Sequence, residues 1–200
     1  YGCPKPIRLD PGFDPPPEKD RMPPAGSPWK ILLLGRAEDE KLKGLDIAAS
    51  AVGKVARHFK SLGLTEIELV VRGAKPGAAD ALRAKIIDWA GGQLDIVVRP
   101  YTINSATLES DMLSSSLVLM PSRSEGFGLV GHEAIMSGTP VLVSSRSGLS
   151  EMLYEKLSSN EFSRISVKTI GDDRSSEIDC DEWFRAIDAT LRNRDAAFRD

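Results

Sequence analysis

Two cysteines, Cys3 and Cys180, are all that this 200-residue chain contains. They are too few and too far apart for a disulfide scaffold or a cysteine-based metal site, and a reducing, cytoplasmic setting is the expectation. Histidine is equally scarce, with two copies, and no His, Asp and Ser pattern supports hydrolysis. No apolar run reaches the ~18 residues that a membrane span needs. A basic excess is missing as well. The formal net charge is -3 and the pI is near 5.5, which argues against a general nucleic-acid binder. The opening YGCPKPIRLD is no secretory signal. It also lacks an initiator Met, so a piece of a longer protein is expected. No G-x-G-x-x-G follows the first apolar run; charged RAEDE stands there instead, which counts against a dinucleotide-dependent oxidoreductase. Internal repeats are absent.

What is present suits one large soluble domain, with 41% hydrophobic and 28% charged residues. Proline concentrates in residues 1–28, with runs at Pro15-Pro16-Pro17 and Pro23-Pro24. Proline fixes φ and removes a donor, so this segment reads as a linker or tail, and residues 29–200 as the folded domain. Within the domain, apolar runs alternate with helical spacing. Strands are expected at 29–35, 66–72, 94–99, 116–121, 140–145 and 165–170. Helices are expected over 44–62, 78–90 and 104–113, between 121 and 140, from Ser150, and over 181–193. That alternation predicts an α/β, Rossmann-like, doubly wound parallel sheet. Such sheets bind ligands at the carboxyl ends of their strands. The loops of interest are therefore 35–44, 72–77, 99–104, 121–128 and 144–149.

The loop at 121–128 carries the clearest chemistry. In SEGFGLVGHE, seven residues separate Glu125 from Glu133. Gly126 and Gly128 let the backbone approach a ligand closely. A helix starting there offers free N–H groups and a partial positive charge to phosphate, with Gly128, Leu129 and Val130 supplying the amides. Glu133, about a turn and a half further on, can accept two ribose hydroxyls, while Glu125 faces hydroxyls at the other end of the ligand. A sugar joined through a diphosphate to a ribose would span that distance. Arg36 and Lys43, after the first strand, are the cations placed to meet the diphosphate. Glu38, Asp39 and Glu40 lie beside them.

These residues carry a resemblance. PSRSEGFGLVGHEAIMSGTPVLVSSRSGLSEML resembles the donor-binding region of retaining glycosyltransferases of the GT-B fold, family 4, whose pattern is PS-x-x-EGFGL-x-x-x-E-A-x-x-x-G-x-PV. GR…KG at 35–44 looks like that family's diphosphate-binding arginine and lysine, and LDPGFDP like its interdomain linker. The resemblance implies that the chain is half of a GT-B fold, the donor half. Arg36, Lys43 and Glu125 would act in catalysis. Gly35, Arg36 and Lys43 would hold the diphosphate, and Glu125 with the amides of Gly126, Phe127 and Gly128 the sugar. Leu129 and Val130 would face phosphate, Glu133 the ribose, and Tyr101 and Thr102 the base. The donor substrate would be a nucleotide diphosphate sugar, with no cofactor and no metal. The acceptor-binding N-terminal domain, or other domains of a longer chain, would be the missing partner. Pro100 stands where the family often has glycine, and His132 where it commonly has an apolar residue.

Plainer roles suit the remaining residues. His132 is read as a packing histidine, the serines of 122–147 as turn and cap formers, and Trp29, Trp89 and Trp183 as packing groups. Glu109 and Asp111 suggest no partner. A second function is kept open: an inactive glycosyltransferase-like module used in protein interaction or self-association as a homo-oligomer.

Overall fold

The computed structural model describes residues 21–35 and 39–199. Arg36 and the LDPGFDP segment lie outside the described residues. Six parallel strands form one sheet: β1 (Trp29–Leu34), β2 (Ile67–Ala74), β3 (Asp95–Pro100), β4 (Leu117–Met120), β5 (Val141–Ser144) and β6 (Ser166–Val167). Their order is β3-β2-β1-β4-β5-β6, the doubly wound arrangement, with the reversal between β1 and β4. Registers run in step across that reversal, Leu33 lying opposite both Val71 and Leu119.

Alternation along the strands builds two cores. Ile31, Leu33, Leu117 and Leu119 point to one face, where they meet helices α1 (Leu45–Ser61), α2 (Ala79–Ala90) and α7 (Ser176–Arg192) through Phe59, Ile86 and Trp183. Leu32, Leu34, Val118 and Met120 point to the other face. There they meet α3 (Ser105–Leu113), α4 (Leu129–Met136) and α5 (Gly148–Lys156) through Met112, Ala134, Leu149 and Leu153. A side-chain period of two thus makes both faces apolar, as a covered parallel sheet requires. Trp183 is fully buried, and its indole donates to Thr169 Oγ1 at 3.1 Å. At about 25 cal/mol per Å2 of apolar area, each such aromatic contributes several kcal/mol to folding.

Element boundaries differ most from the sequence reading after β5. The helix expected from Ser150 begins at Gly148, because Ser147 Oγ accepts the Ser150 N–H and so serves as the cap. An additional helix, α6 (Ser159–Ile165), follows a capping box made by Ser158 and Glu161. It takes Ile165 from the expected strand, and β6 pairs over only two residues. The closing helix starts at Ser176, five residues before Asp181. Asp179, fully buried in its first turn, accepts the N–H groups of Ile170 and Gly171 at 2.7 and 2.8 Å. A last helix, α8, spans Arg194–Ala197.

Residues 21–28 contain neither helix nor strand, yet they lie against the domain. Arg21 donates to the carbonyls of Leu113 and Ser137, at 2.5 and 3.2 Å, and to the Thr139 hydroxyl. Arg194 reaches back to the carbonyl of Pro24 and stacks over Trp29, 4.6 Å from the ring centroid.

Candidate functional site

A cleft of about 500 Å3 opens at the carboxyl ends of β1 and β4, where the strand order reverses. Its floor comes from Leu33, Leu34, Leu119 and Met120, and its rim from Gly35, Lys43, Tyr101, Glu125 and residues 127–130. The doubly wound topology makes this position a crevice, because neighbouring connections leave toward opposite faces.

The β4–α4 loop shapes one wall. Gly128 caps α4 with φ +104° and contributes no side-chain acceptor. A Cβ there would sit 2.6 Å from Met120 Cε, so backbone conformation and packing both require glycine. The first amides within α4 to find a backbone acceptor are those of Gly131 and His132, both on the Gly128 carbonyl. The N–H groups of Leu129 and Val130 stand at the positive end of the helix, on the cleft's rim. The loop is braced from behind by the segment after β5. Glu125 N–H donates to Arg146 O at 3.1 Å, Gly148 N–H to Gly126 O at 2.9 Å, and Leu149 N–H to Phe127 O at 2.7 Å.

The turn before α1 brings in the cation. Gly44, with φ +70°, caps that helix, and a Cβ there would lie 2.1 Å from the Pro121 carbonyl oxygen. This contact presses the Lys43 turn against the end of β4. Lys43 Nζ then donates to Glu125 Oε2 at 2.6 Å, with the two side chains 24% and 19% exposed. Ser122, fully buried, donates its hydroxyl to the same carboxylate oxygen at 3.2 Å. Two residues 82 positions apart in sequence thus form a half-buried ion pair on the cleft wall.

Of the residues singled out in the sequence, the cleft gathers Gly35, Lys43, Tyr101, Glu125, Phe127, Gly128, Leu129 and Val130. Three others stand off its lining. Gly126 is exposed. Thr102 accepts the Asn104 N–H at 3.1 Å within its own loop. Glu133 is exposed on α4, and the protein beside its carboxyl pushes its pKa upward through desolvation. His132, buried beside Phe127 at a ring separation of 6.2 Å, is held below the ordinary imidazole pKa by that burial. Ser122 has a larger part than turn formation. Its signal was available: a serine three residues before a carboxylate in a turn is within hydrogen-bonding reach of it.

Asp111, without an expected partner, has two. It accepts from Arg72 and Arg99 at the ends of β2 and β3, and Arg72 also donates to Pro100 O at 2.9 Å. Spacing alone could not reveal it, since Arg72 is 39 residues away. Among the described residues, no group of three or more His, Cys, Asp or Glu side chains could hold a metal ion. Among them also, no helix is long and apolar enough to cross a membrane.

Comparison with known proteins gives the family and the fold. The profile of a family described as "Family 4 Glycosyltransferase in conflict systems" matches residues 1–200. A D-inositol 3-phosphate glycosyltransferase of Arthrobacter sp. (strain FB24) is 32% identical over 132 residues, covering 66% of this chain and 30% of that protein. The chain therefore spans under a third of the length of the curated relatives it matches. In fold it is similar to the C-terminal domain of a group 1 glycosyl transferase from Francisella tularensis. The TM-score is 0.62 at 20% identity, over 94% of this chain and 92% of that one. An Anabaena protein, HepE, solved in complex with UDP and glucose, is also similar, with a TM-score of 0.59 at 16% identity over 86% and 41% of the two chains.

Proposed function

Because the chain belongs to the family 4 glycosyltransferases of conflict systems, we propose that its cleft binds the nucleotide diphosphate end of a sugar donor. The observation that carries this reading is the convergence of Lys43 and Glu125, 2.6 Å apart, beside the amides that open α4. Lys43 and those amides suit a diphosphate. Glu125, fixed by Ser122, suits sugar hydroxyls, and Tyr101 offers a ring at the rim where a base can lie. Arg36 is the second cation of this proposal, and Glu133 the ribose ligand. In transfer, positive groups at the diphosphate would stabilise the leaving charge without a metal. Residues 1–28 would act as the linker to further domains, and residues 29–200 as the donor half. The acceptor would come from outside this chain.

Calorimetric titration with UDP, GDP and ADP, and then with the matching nucleotide sugars, tests the reading. Saturable binding of one nucleotide is expected. Absence of heat for all three at millimolar concentration, or binding that requires a divalent ion, would contradict it.

A second reading has its own observation. Leu42, Tyr101, Ile103 and Leu129 are exposed in the loops about the cleft, Ile103 to 85%. A protein-interaction or self-association module would use such a rim. Sedimentation decides: a monomer that binds nucleotide disfavours it, and a nucleotide-blind oligomer favours it.

A further inference from the structure

A buried ion pair behind the cleft joins the two loops that carry its charges. Arg123 stands two residues before Glu125, and Asp46 three after Lys43. Arg123 Nη1 donates to Asp46 Oδ1 at 2.7 Å and Nη2 to Oδ2 at 2.9 Å, a two-pronged fork. The same Nη1 donates to the carbonyl of Lys41 at 2.6 Å, and the Arg123 backbone N–H to that of Leu42 at 2.8 Å. Lys41 Nζ adds a further bond to Asp46 Oδ2 at 2.7 Å. Arg123 and Asp46 are 8% and 6% exposed, and neither lines the cleft. Burial would raise the Asp46 pKa, but the bonds from Arg123 and Lys41 outweigh it and hold the carboxyl below its usual range.

The turn that presents Lys43 is closed by its own short-range bonds, Lys43 N–H to Asp39 O and Leu45 N–H to Glu40 O, at 2.8 and 2.9 Å. Those bonds give the turn its shape but do not place it against the β4–α4 loop. The Gly44–Pro121 approach brings the turn to the end of β4, and Arg123 ties it to the β4–α4 loop, since Arg123 grips the carbonyls of Lys41 and Leu42 and the first turn of α1 at once. Ser122, its neighbour, fixes the carboxylate that Lys43 meets. A buried pair of this kind is a poor source of net stability compared with apolar packing, and setting one geometry among several is its better-attested use.

We propose that Arg123, acting through Asp46 and the carbonyls of Lys41 and Leu42, is a positioning residue that sets Lys43 opposite Glu125. Its loss then weakens anion binding in a cleft it does not touch. For its ligand the proposal rests on the nucleotide-sugar reading; for its geometry it rests on the protein alone.

Two readouts test it on Arg123→Met and Arg123→Lys, with Val55→Ala in α1 as a control that is buried and off the cleft. The first is hydrogen exchange of amides 41–45 without ligand. Arg123→Met should quicken it by about tenfold or more while β2 and β3 keep their wild-type protection. The second is calorimetry with UDP, GDP or ADP, whichever binds wild type. Arg123→Met should raise Kd by about tenfold or more, since misplaced groups bind poorly. Arg123→Lys should recover only part of this, because an ammonium lacks the planar fork. Val55→Ala, which also lowers the melting temperature, should keep Kd within about twofold. Unchanged exchange at 41–45 in Arg123→Met overturns the proposal. So does a Kd that rises as much in Val55→Ala as in Arg123→Met. Should Arg123→Met fail to fold, Asp46→Asn carries the same comparison. If wild type binds none of the three nucleotides, the nucleotide-sugar reading fails, and exchange alone decides the positioning role.

Discussion

Lys43 and Glu125 neutralise each other across a 2.6 Å contact, so an incoming diphosphate competes with a carboxylate for the same ammonium. Lys43→Met should cost whichever of UDP, GDP and ADP binds wild type about 1.5–3 kcal/mol of binding, the range for a hydrogen bond to a charged group, read as a rise in Kd by calorimetry. Glu125→Gln keeps the shape and drops the charge. That nucleoside diphosphate alone should then bind more tightly by up to about 1 kcal/mol, as a partly exposed ion pair is released. The extra affinity gained from the sugar should shrink in the same variant. If the same nucleotide bound equally to Glu125→Gln and wild type, the idea of competition for Lys43 would be wrong. Glu125 stood out in the sequence by its glycine-flanked turn, whereas Lys43 was singled out by the family pattern GR…KG, since a lone lysine after a strand reads as a solvated surface charge. Their mutual contact was not legible. It depends on the Gly44–Pro121 approach, which joins segments more than 70 positions apart, and no local pattern encodes that.

Strands β1, β2, β4 and β5 were legible for a simple reason: each is a largely buried apolar run, whose pattern survives any tertiary arrangement. β3, with exposed ends, still shows its apolar Ile-Val-Val centre, while β6 keeps only two of the residues expected of it. Helix starts were less so. Ser147 rather than Asn or Asp caps α5, and Asp179 spends its carboxylate on the loop before α7, so the charged stretch before Asp181 belongs to a helix. Two predictions belong to these elements. Gly128→Ala should destabilise the fold by about 1–3 kcal/mol in urea unfolding, since φ +104° is strained for alanine and its methyl meets Met120. The second concerns acid. Asp46 has a folded pKa below its ordinary 3.8, so its contribution is complete above that value and is lost as pH falls through the folded one. Urea unfolding between about pH 5 and pH 2 should show stability falling in wild type. Asp46→Asn should be less stable near neutrality and should show a shallower fall. An equally steep acid limb in that variant would remove Asp46 from the explanation.

Taken whole, the chain is a sheet with a covered core on each face and its chemistry at one end, the architecture shared with the C-terminal domain of a group 1 glycosyl transferase. It spans under a third of its curated relatives, and under the proposed function its share of the work would be donor binding. With UDP-glucose as a probe, the chain alone should release UDP no faster than a buffer blank, even if it binds the compound. The central claim is that the β1–β4 crevice grips a diphosphate through Lys43. Its most direct test is a side-by-side calorimetric titration of wild type and Lys43→Met with UDP, GDP and ADP. One saturable isotherm is expected in wild type, with a Kd about tenfold or more higher in the variant. Identical isotherms, or no heat from either protein, would contradict it.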